Sequence, residues 1–414
     1  MLELATHGRP GGSLDFAGMS ALSIAWLLWT GILAVPVLIF FMEVLLGALP
    51  RVAAGESAPD QPLPTTAILI PAHNESVGVL STLEAVRRGI GPAGRLLLVA
   101  DNCSDDTALV ARTAGAEVIE RVDAVNRGKG YALDFGVRHL AQSPPEVVVV
   151  VDADCRIEAA SMRRIIHLAY ATRRPVQALY LMLAPPELGL GGRMAEFAWR
   201  VKNHARPLGL FKLGLPCQLT GTGMAFPWAA ISQAQLASGH ITEDLQLGLD
   251  LARAGLPPLF APDALVTSSF AANAEGANSQ RTRWEHGHLL TIVATAPALL
   301  WRAVASGNLA LLALTLDLLV PPLALLAICV LASTALSSLF AFAAPTMLPS
   351  LWVCVASLLL LAVTIGLAWW RNARDIVSPQ DLLLAPLYVL RKLPIYLRFL
   401  TGRQVKWVRA KRDG

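Results

Sequence analysis

Two stretches of this chain carry no charged side chain at all: Phe16 to Met42 and Leu318 to Trp370. Such runs limit the folds open to it, because about 20 apolar residues in a helix cross the hydrocarbon of a bilayer. The first run has the length of one spanning helix. A signal peptide fits it poorly, since the apolar run is too long and no small-residue cleavage site follows. The second run is too long for one helix and is interrupted at Ala343-Ala344-Pro345-Thr346-Met347-Leu348-Pro349-Ser350, which predicts a hairpin of roughly 309–336 and 351–370. Three spanning helices are therefore expected. Across the chain 54% of residues are hydrophobic and 15% charged, against ~25% charged in soluble domains.

Basic residues set the expected orientation. After Trp370 come ten Lys or Arg and three Asp, whereas the loop between the hairpin helices has no charge. By the positive-inside rule the tail and the region 43–308 are then cytoplasmic and the N-terminus lies outside. The net charge of +4 reflects this membrane-facing excess. No aromatic-basic platform or helix-turn-helix pattern accompanies it, so nucleic acid is not an expected partner. Five cysteines form no CxxC pair, which argues against a zinc site or a disulfide framework.

Between the apolar runs, strands and helices alternate. Residues 51–64 read as a linker. Strands are expected at Thr66–Pro71, Arg95–Ala100, Val118–Arg121 and Val147–Val151, and helices at Val77–Arg88, Thr107–Ala114 and Lys129–Leu140. This pattern predicts an α/β domain with a mostly parallel, Rossmann-like sheet, whose ligands lie at the C-terminal strand edge. Further on, Pro216–Pro227 reads as too flexible for a regular element, and Ile241–Gly255 as a helix. Glu285–Ala305 and Asp381–Leu400 read as amphipathic helices lying on the membrane surface. The expected organisation is an anchor at 1–50, the α/β domain at 64–280, an interfacial helix at 281–308, the hairpin at 309–371 and a basic tail at 372–414.

Five motifs carry chemistry. Asp152-Ala153-Asp154 ends the valine strand, where two hard oxygen donors suit Mg²⁺ or Mn²⁺ beside phosphate. Asp101 ends the second strand and can accept from a pyrimidine N–H, though Ser104 and Asp105 also suit a helix cap. Lys129, between glycines at a helix start, can face a diphosphate, or lie in an exposed turn. Thr242-Glu243-Asp244 opens a helix and offers a carboxylate base for an acceptor hydroxyl, or merely an acidic first turn. In Gln280-Arg281-Thr282-Arg283-Trp284, an arginine can neutralise a leaving diphosphate and a tryptophan can stack on a sugar. His286 and His288 offer a third metal ligand, although structural roles are commoner for such histidines. Asp317 lies within the expected first hairpin helix, where an ionisable group is costly.

Asp101, Asp152-Ala153-Asp154, Thr242-Glu243-Asp244 and Gln280-x-x-Arg283-Trp284, in this order and flanked by membrane helices, resemble the family 2 inverting glycosyltransferases. That family includes cellulose, chitin and hyaluronan synthases and ceramide glucosyltransferases. The resemblance implies a GT-A fold and hexose transfer from a nucleotide sugar, usually a UDP-sugar. It implies Asp101 on the uracil, Asp152 with Lys129 and Arg283 at the donor, Asp154 with Asp152 on the metal, and Asp244 as base. Glu243, Gln280, Trp284 and the Gly221-Thr222-Gly223 loop would face the acceptor. Asn102-Cys103 departs from the Asp-Gly of many members. Three spans resemble the ceramide glucosyltransferase layout more than a polymer channel. This implies a lipid, lipid-linked or glycan acceptor at a bacterial inner membrane, in exopolysaccharide or glycolipid assembly. The alternatives are a processive synthase working as an oligomer and a non-catalytic scaffold subunit of an envelope polysaccharide complex. A glycoside hydrolase also uses paired carboxylates but needs neither metal pair nor diphosphate-binding arginine.

Overall fold

The computed structural model describes residues 20–50, 62–91 and 93–401. Most of the linker at 51–64 and the last part of the basic tail, 402–414, lie outside the described residues.

An eight-stranded sheet forms the centre: β1 (Thr66–Ala72), β2 (Arg95–Asp101), β3 (Glu117–Arg121), β4 (Val147–Val150), β5 (Arg156–Ile157), β6 (Val176–Leu183), β7 (Met224–Pro227) and β8 (Leu259–Ser269). Their spatial order is β3-β2-β1-β4-β7-β6-β8-β5. The first four run parallel, with Ile68 of β1 level with Leu96 of β2 and Val149 of β4. The valine run explains its own burial. Val147, Val149 and Val151 pack into the core on one face, and Val148 and Val150 into the core on the other. A strand buried on both faces tolerates no polar alternation, so it reads as continuous valine. The parallel strands all end on one edge, which places Asp101 and Asp152 near each other.

The second half corrects one expectation. Pro216–Pro227 is not wholly irregular, because Met224–Pro227 forms β7, antiparallel to both β4 and β6. Glycines at 221 and 223 masked this short strand. Only their positive φ angles, +95° and +63°, let the chain turn sharply into it.

Among the described residues, four helices are long and apolar enough to cross a membrane: Ala21–Ala48, Glu275–Ala305, Leu323–Ala343 and Pro345–Asn372. Three were expected. The additional candidate lies within Ala274–Ala305, which runs straight through Pro297. Its charged first half hides it from a search for apolar runs. The first hairpin helix is two pieces, Leu309–Leu318 and Leu323–Ala343. Pro321 and Pro322 lack N–H donors and break the helix between them. Asp381–Leu400 is likewise three short helices, Pro379–Leu383, Ala385–Arg391 and Leu393–Thr401, with Pro386 and Pro394 at the restarts.

The N-terminal helix is clamped to the α/β domain. Gly47 and Gly209 let it lie directly on the helix Arg206–Lys212, since a Cβ on Gly209 would overlap the Glu43 carbonyl. Lys212 Nζ then donates to the last carbonyls of that helix, Leu46 at 3.1 Å and Gly47 at 3.0 Å. Beside this crossing, buried Arg206 donates to Glu43 at 2.6 Å and to Asp317 at 2.6 Å. Asp317 is therefore partnered by a guanidinium. Further along, Trp26 and Trp29 donate to Ser337 at 2.9 Å and Ser333 at 3.1 Å, joining the first helix to Leu323–Ala343.

Candidate active site

On one side of the site, the strand ends supply the groups. Asp101 is buried at the end of β2, and its Oδ1 accepts from Arg121 Nη1 at 2.7 Å. His73, just after β1, holds the Asp101 carbonyl at 2.7 Å through Nδ1. Asn102 adopts φ +52°, a left-handed conformation that asparagine tolerates, and donates to Asp101 Oδ1 at 3.0 Å. Asp105 Oδ1 accepts from the Thr107 N–H at 3.0 Å, but the N-cap position of the helix Thr107–Thr113 falls on Asp106, whose side chain makes no cap bond. These residues open onto a cavity that also exposes Lys129, Asp152, Asp154, Gln280 and Arg283.

Lys129 begins the helix Lys129–Leu140, and its ammonium bridges two parts of the site. Nζ donates to the Gly221 carbonyl at 2.7 Å and is paired with Asp152 Oδ1. Burial alone would lower its pKa, but the Asp152 and Glu243 charges outweigh burial and hold it above the usual lysine range. The Asp152 carboxyl is pushed up by burial, pulled back by Lys129 and raised again by Asp154.

Asp152, Asp154 and Cys155 bring ligand atoms within 4.8 Å of one another, the cluster of this kind found among the described residues. Burial drives the Cys155 thiol well above its ordinary range, with the two aspartates adding to the effect, and a soft sulfur suits a hard cation poorly. What remains is a pair of carboxylates at a strand end, a hard-oxygen donor set that fits Mg²⁺ or Mn²⁺ beside phosphate. Neither histidine joins this cluster. His286 Nε2 lies 2.9 Å from the Ile395 carbonyl and its ring packs edge-on to Phe399, while His288 Nε2 lies 3.1 Å from the Leu318 carbonyl. Both bond main-chain carbonyls of neighbouring helices, the structural role weighed for them against metal binding.

A second cavity opens on the other side of Lys129 and Asp152, lined by Glu243, Asp244, Gly221, Trp284, Trp199 and Asn203 among others. Asp244 sits in the first turn of the helix Glu243–Arg253, where its Oδ1 accepts from the Leu245 N–H at 2.8 Å. Gly221 makes room for it: a Cβ there would lie 3.1 Å from Asp244 Oδ2 and 3.5 Å from Lys129 Nζ. Burial and the adjacent Asp244 charge raise the Glu243 carboxyl, against the pull of Lys129. Gln280 and Arg283 line both cavities, so the helix Ala274–Ala305 spans the junction. Trp284 packs against Trp199 with ring centroids 4.9 Å apart, and Trp199 donates to the Tyr180 carbonyl at 3.1 Å.

Of the loop expected at the acceptor, Gly221 lines the cavity, but Thr222 and Gly223 stand behind it. Thr222 is 0% exposed, and its Oγ1 accepts from the Asp152 N–H at 3.1 Å. A Cβ on Gly223 would strike Val266 and Ala178. The loop is held by Gln177, 2% exposed on β6, which accepts from the Thr220 N–H at 2.8 Å and donates to the Thr222 carbonyl at 2.9 Å. Sequence reasoning missed Gln177, Trp199, Lys202, Asn203 and Arg206. A glutamine within the apolar run of β6 was the one local signal.

The last three of these lie on or beside a π-helical turn, Val201–Ala205, where the Arg206 N–H bonds the Val201 carbonyl. It joins the helices Gly189–Arg200 and Arg206–Lys212. Such turns widen a helix by one residue and recur at functional sites. A third, largely apolar cavity begins here. Phe40, Phe197, Val320, Leu323, Ile365 and Val389 line it, and it shares Trp199, Lys202, Arg206, Trp284 and His288 with the cavity at Asp244.

An acidic pair at a strand edge with a carboxylate on the opposite wall is an arrangement that suits sugar transfer on a GT-A sheet. The chain belongs to the glycosyltransferase-like family 2, whose model matches residues 64–287. An uncharacterized glycosyltransferase of Mycobacterium tuberculosis (strain H37Rv) is 34% identical over 147 residues, covering 34% of this chain and 60% of the relative. The probable glycosyltransferase YdaM of Bacillus subtilis is 36% identical over 100 residues, 22% of this chain and 23% of its own. The chain thus spans about 60% of the mycobacterial relative's length. Among solved structures, the mannosyltransferase PcManGT of Pyrobaculum calidifontis, in complex with GDP-Man and Mn²⁺, is similar with a TM-score of 0.54. At 17% identity the likeness covers 93% of this chain and 99% of that one and establishes the shared fold.

Proposed function

We propose that the protein is a membrane-bound inverting hexosyltransferase that moves a sugar from a nucleotide diphosphate donor, in our reading a UDP-sugar, to a hydroxyl of a lipid or lipid-linked acceptor. The observation that carries this reading is the facing of Asp244 and the Asp152–Asp154 pair across Gly221 and Lys129, with an apolar cavity leading in from the membrane helices. The catalytic domain then works at the cytoplasmic face of a bacterial inner membrane, in glycolipid or exopolysaccharide assembly.

In the reaction, Asp244 takes the proton of the acceptor hydroxyl as that oxygen attacks the anomeric carbon. The bond to the diphosphate breaks on the opposite face, its electron pair leaves with the nucleotide, and the anomeric centre inverts. Arg283 and Lys129 offset charge on the diphosphate, while Asp101 contacts the base and Trp284 supports the sugar. Mg²⁺ or Mn²⁺ held by Asp152 and Asp154 would neutralise further charge on the leaving group. Thr222, through the Asp152 N–H, and Gln177, through the loop, position these groups.

The test uses full-length protein in lipid nanodiscs with Mn²⁺, a panel of UDP- and GDP-sugars, and bacterial lipid extract. Release of a nucleoside diphosphate that requires Asp244 supports the proposal. Turnover that survives Asp244→Asn removes it as the base. A single-sugar product argues against the processive reading, and a ladder of products would favour it.

A further inference from the structure

The wall of the Asp244 cavity holds an unusual set of unpaired polar atoms. Asn203, 3% exposed, has both amide atoms buried without a hydrogen-bond partner. Gln218 Oε1, Thr220 Oγ1 and Gln280 Oε1 are buried and unpartnered on the same wall. Gln218 donates its amide nitrogen to the Leu314 carbonyl at 2.8 Å, which fixes its oxygen as the outward acceptor. Buried polar groups are nearly always paired, so a group of this kind at one wall points to a ligand that pairs them.

Their chemistry is informative. Asn203 Oδ1, Gln218 Oε1 and Gln280 Oε1 only accept, and hence need donors from the ligand. A phosphate headgroup brings no donor at neutral pH beyond one weakly held proton. Arg206 is already engaged by Glu43 and Asp317. Hydroxyl groups, by contrast, donate and accept, which suits both atoms of the Asn203 amide and the threonine hydroxyl. The adjoining apolar cavity, entered past Trp199 and Trp284, asks for a hydrocarbon tail.

Resting on the transferase reading above, we propose that the acceptor is an uncharged amphiphile with a hydroxyl-rich headgroup, the chemistry of an already glycosylated lipid, and that Asn203 reads that headgroup. The headgroup lies against Asn203, Gln218 and Thr220 with one hydroxyl toward Asp244, and the tail runs into the apolar cavity. Lys202, stacked 5.8 Å from the Trp199 ring centroid, walls the passage between the two.

The experiment measures equilibrium binding of radiolabelled octyl β-glucoside to the full-length protein in phosphatidylcholine nanodiscs, with empty discs subtracted and no sugar nucleotide present. Saturable binding is expected, with free glucose and octyl phosphate each competing at least about tenfold more weakly. In a series of octyl deoxyglucosides, loss of the hydroxyl read by Asn203 costs about tenfold in affinity. Asn203→Leu loses a similar factor for the parent and no longer distinguishes it from that deoxy compound. Equal competition by octyl phosphate would overturn the proposal in favour of an anionic lipid. Wild-type affinity in Asn203→Leu, or indifference of the wild type to every deoxy analogue, would overturn it as well. Because no donor is present, these failures are separable from a failure to release nucleotide.

Discussion

The two sides of this site, which we propose meet donor and acceptor and name accordingly, are built by different kinds of element. The donor side consists of strand ends: Asp101 after β2, Asp152 after β4, and Lys129 at the start of the helix that follows β3. Its groups are mutually satisfied, with Asp101 paired to Arg121 and Asp152 to Lys129. The acceptor side is made of helices, namely the π turn at Val201–Ala205, the first turn of Glu243–Arg253 and the first half of Ala274–Ala305. There both amide atoms of Asn203 and the side-chain oxygens of Gln218 and Gln280 lack partners in the protein. In the proposed reaction a donor common to many transferases would meet the rigid, self-paired edge, and the acceptor the surfaces supplied by neighbouring helices.

The comparison can be broken most directly at Asp244. If the two sides divide the work as described, Asp244→Asn lowers transfer about 10²–10⁴-fold, the range of a general base, while nucleotide binding persists. Transfer rates and calorimetric titration with UDP read the two effects separately. On the donor side, EDTA should reduce transfer by a hundredfold or more, with Mn²⁺ restoring it, since a metal supplies several kcal/mol at a leaving diphosphate. Asp154→Asn should show the same deficit without restoration.

Gln177 tests whether one loop serves both sides. Gln177→Leu leaves the Thr220 N–H and Thr222 carbonyl unpaired, at about 1–3 kcal/mol each, and loosens the Asp152 backbone. A fall in kcat with a rise in the donor KM is expected, and an effect on stability alone would detach the loop from the donor side. Gly209→Ala should cost about 1–3 kcal/mol by pushing the N-terminal helix off the domain, read as a lower Tm with UDP affinity unchanged.

The smallest effect concerns Glu243, whose carboxyl is raised above its ordinary value of 4.5 by burial and Asp244. A raised carboxyl binds its proton more tightly in the folded state than in the unfolded one. Its contribution therefore favours folding at low pH and is lost as pH rises from 4.5 through the elevated value. Glu243→Gln should flatten that part of the stability–pH curve, measured by urea unfolding between pH 5 and about 8.

The donor side was legible because its signal is local. Five valines followed by Asp152-Ala153-Asp154 mark a buried strand and its end within eight residues. Lys129–Leu140 was readable as a helix to the residue. On the acceptor side, Glu243, Asp244, Gln280 and Trp284 were legible as motifs. Asn203 and Lys202 were not, because polar residues on a helix look the same in sequence whether they face water or a cavity. β7 was hidden behind Gly221 and Gly223, and the helix read at Glu285–Ala305 begins earlier, at Ala274, in a stretch whose charges concealed its length.

By itself, then, the sequence determined that this chain meets a membrane and places paired carboxylates at the edge of a parallel sheet. Hydrophobic runs and strand ends are contiguous, so their physics is written in neighbouring residues. Only the tertiary structure decided what those carboxylates face. Arg206 joins Glu43 and Asp317, and Gln177 holds a loop some 43 positions away, as the bond from Thr220 shows. Those contacts depend on how helices cross and where glycines allow close approach, and no stretch of sequence carries them alone.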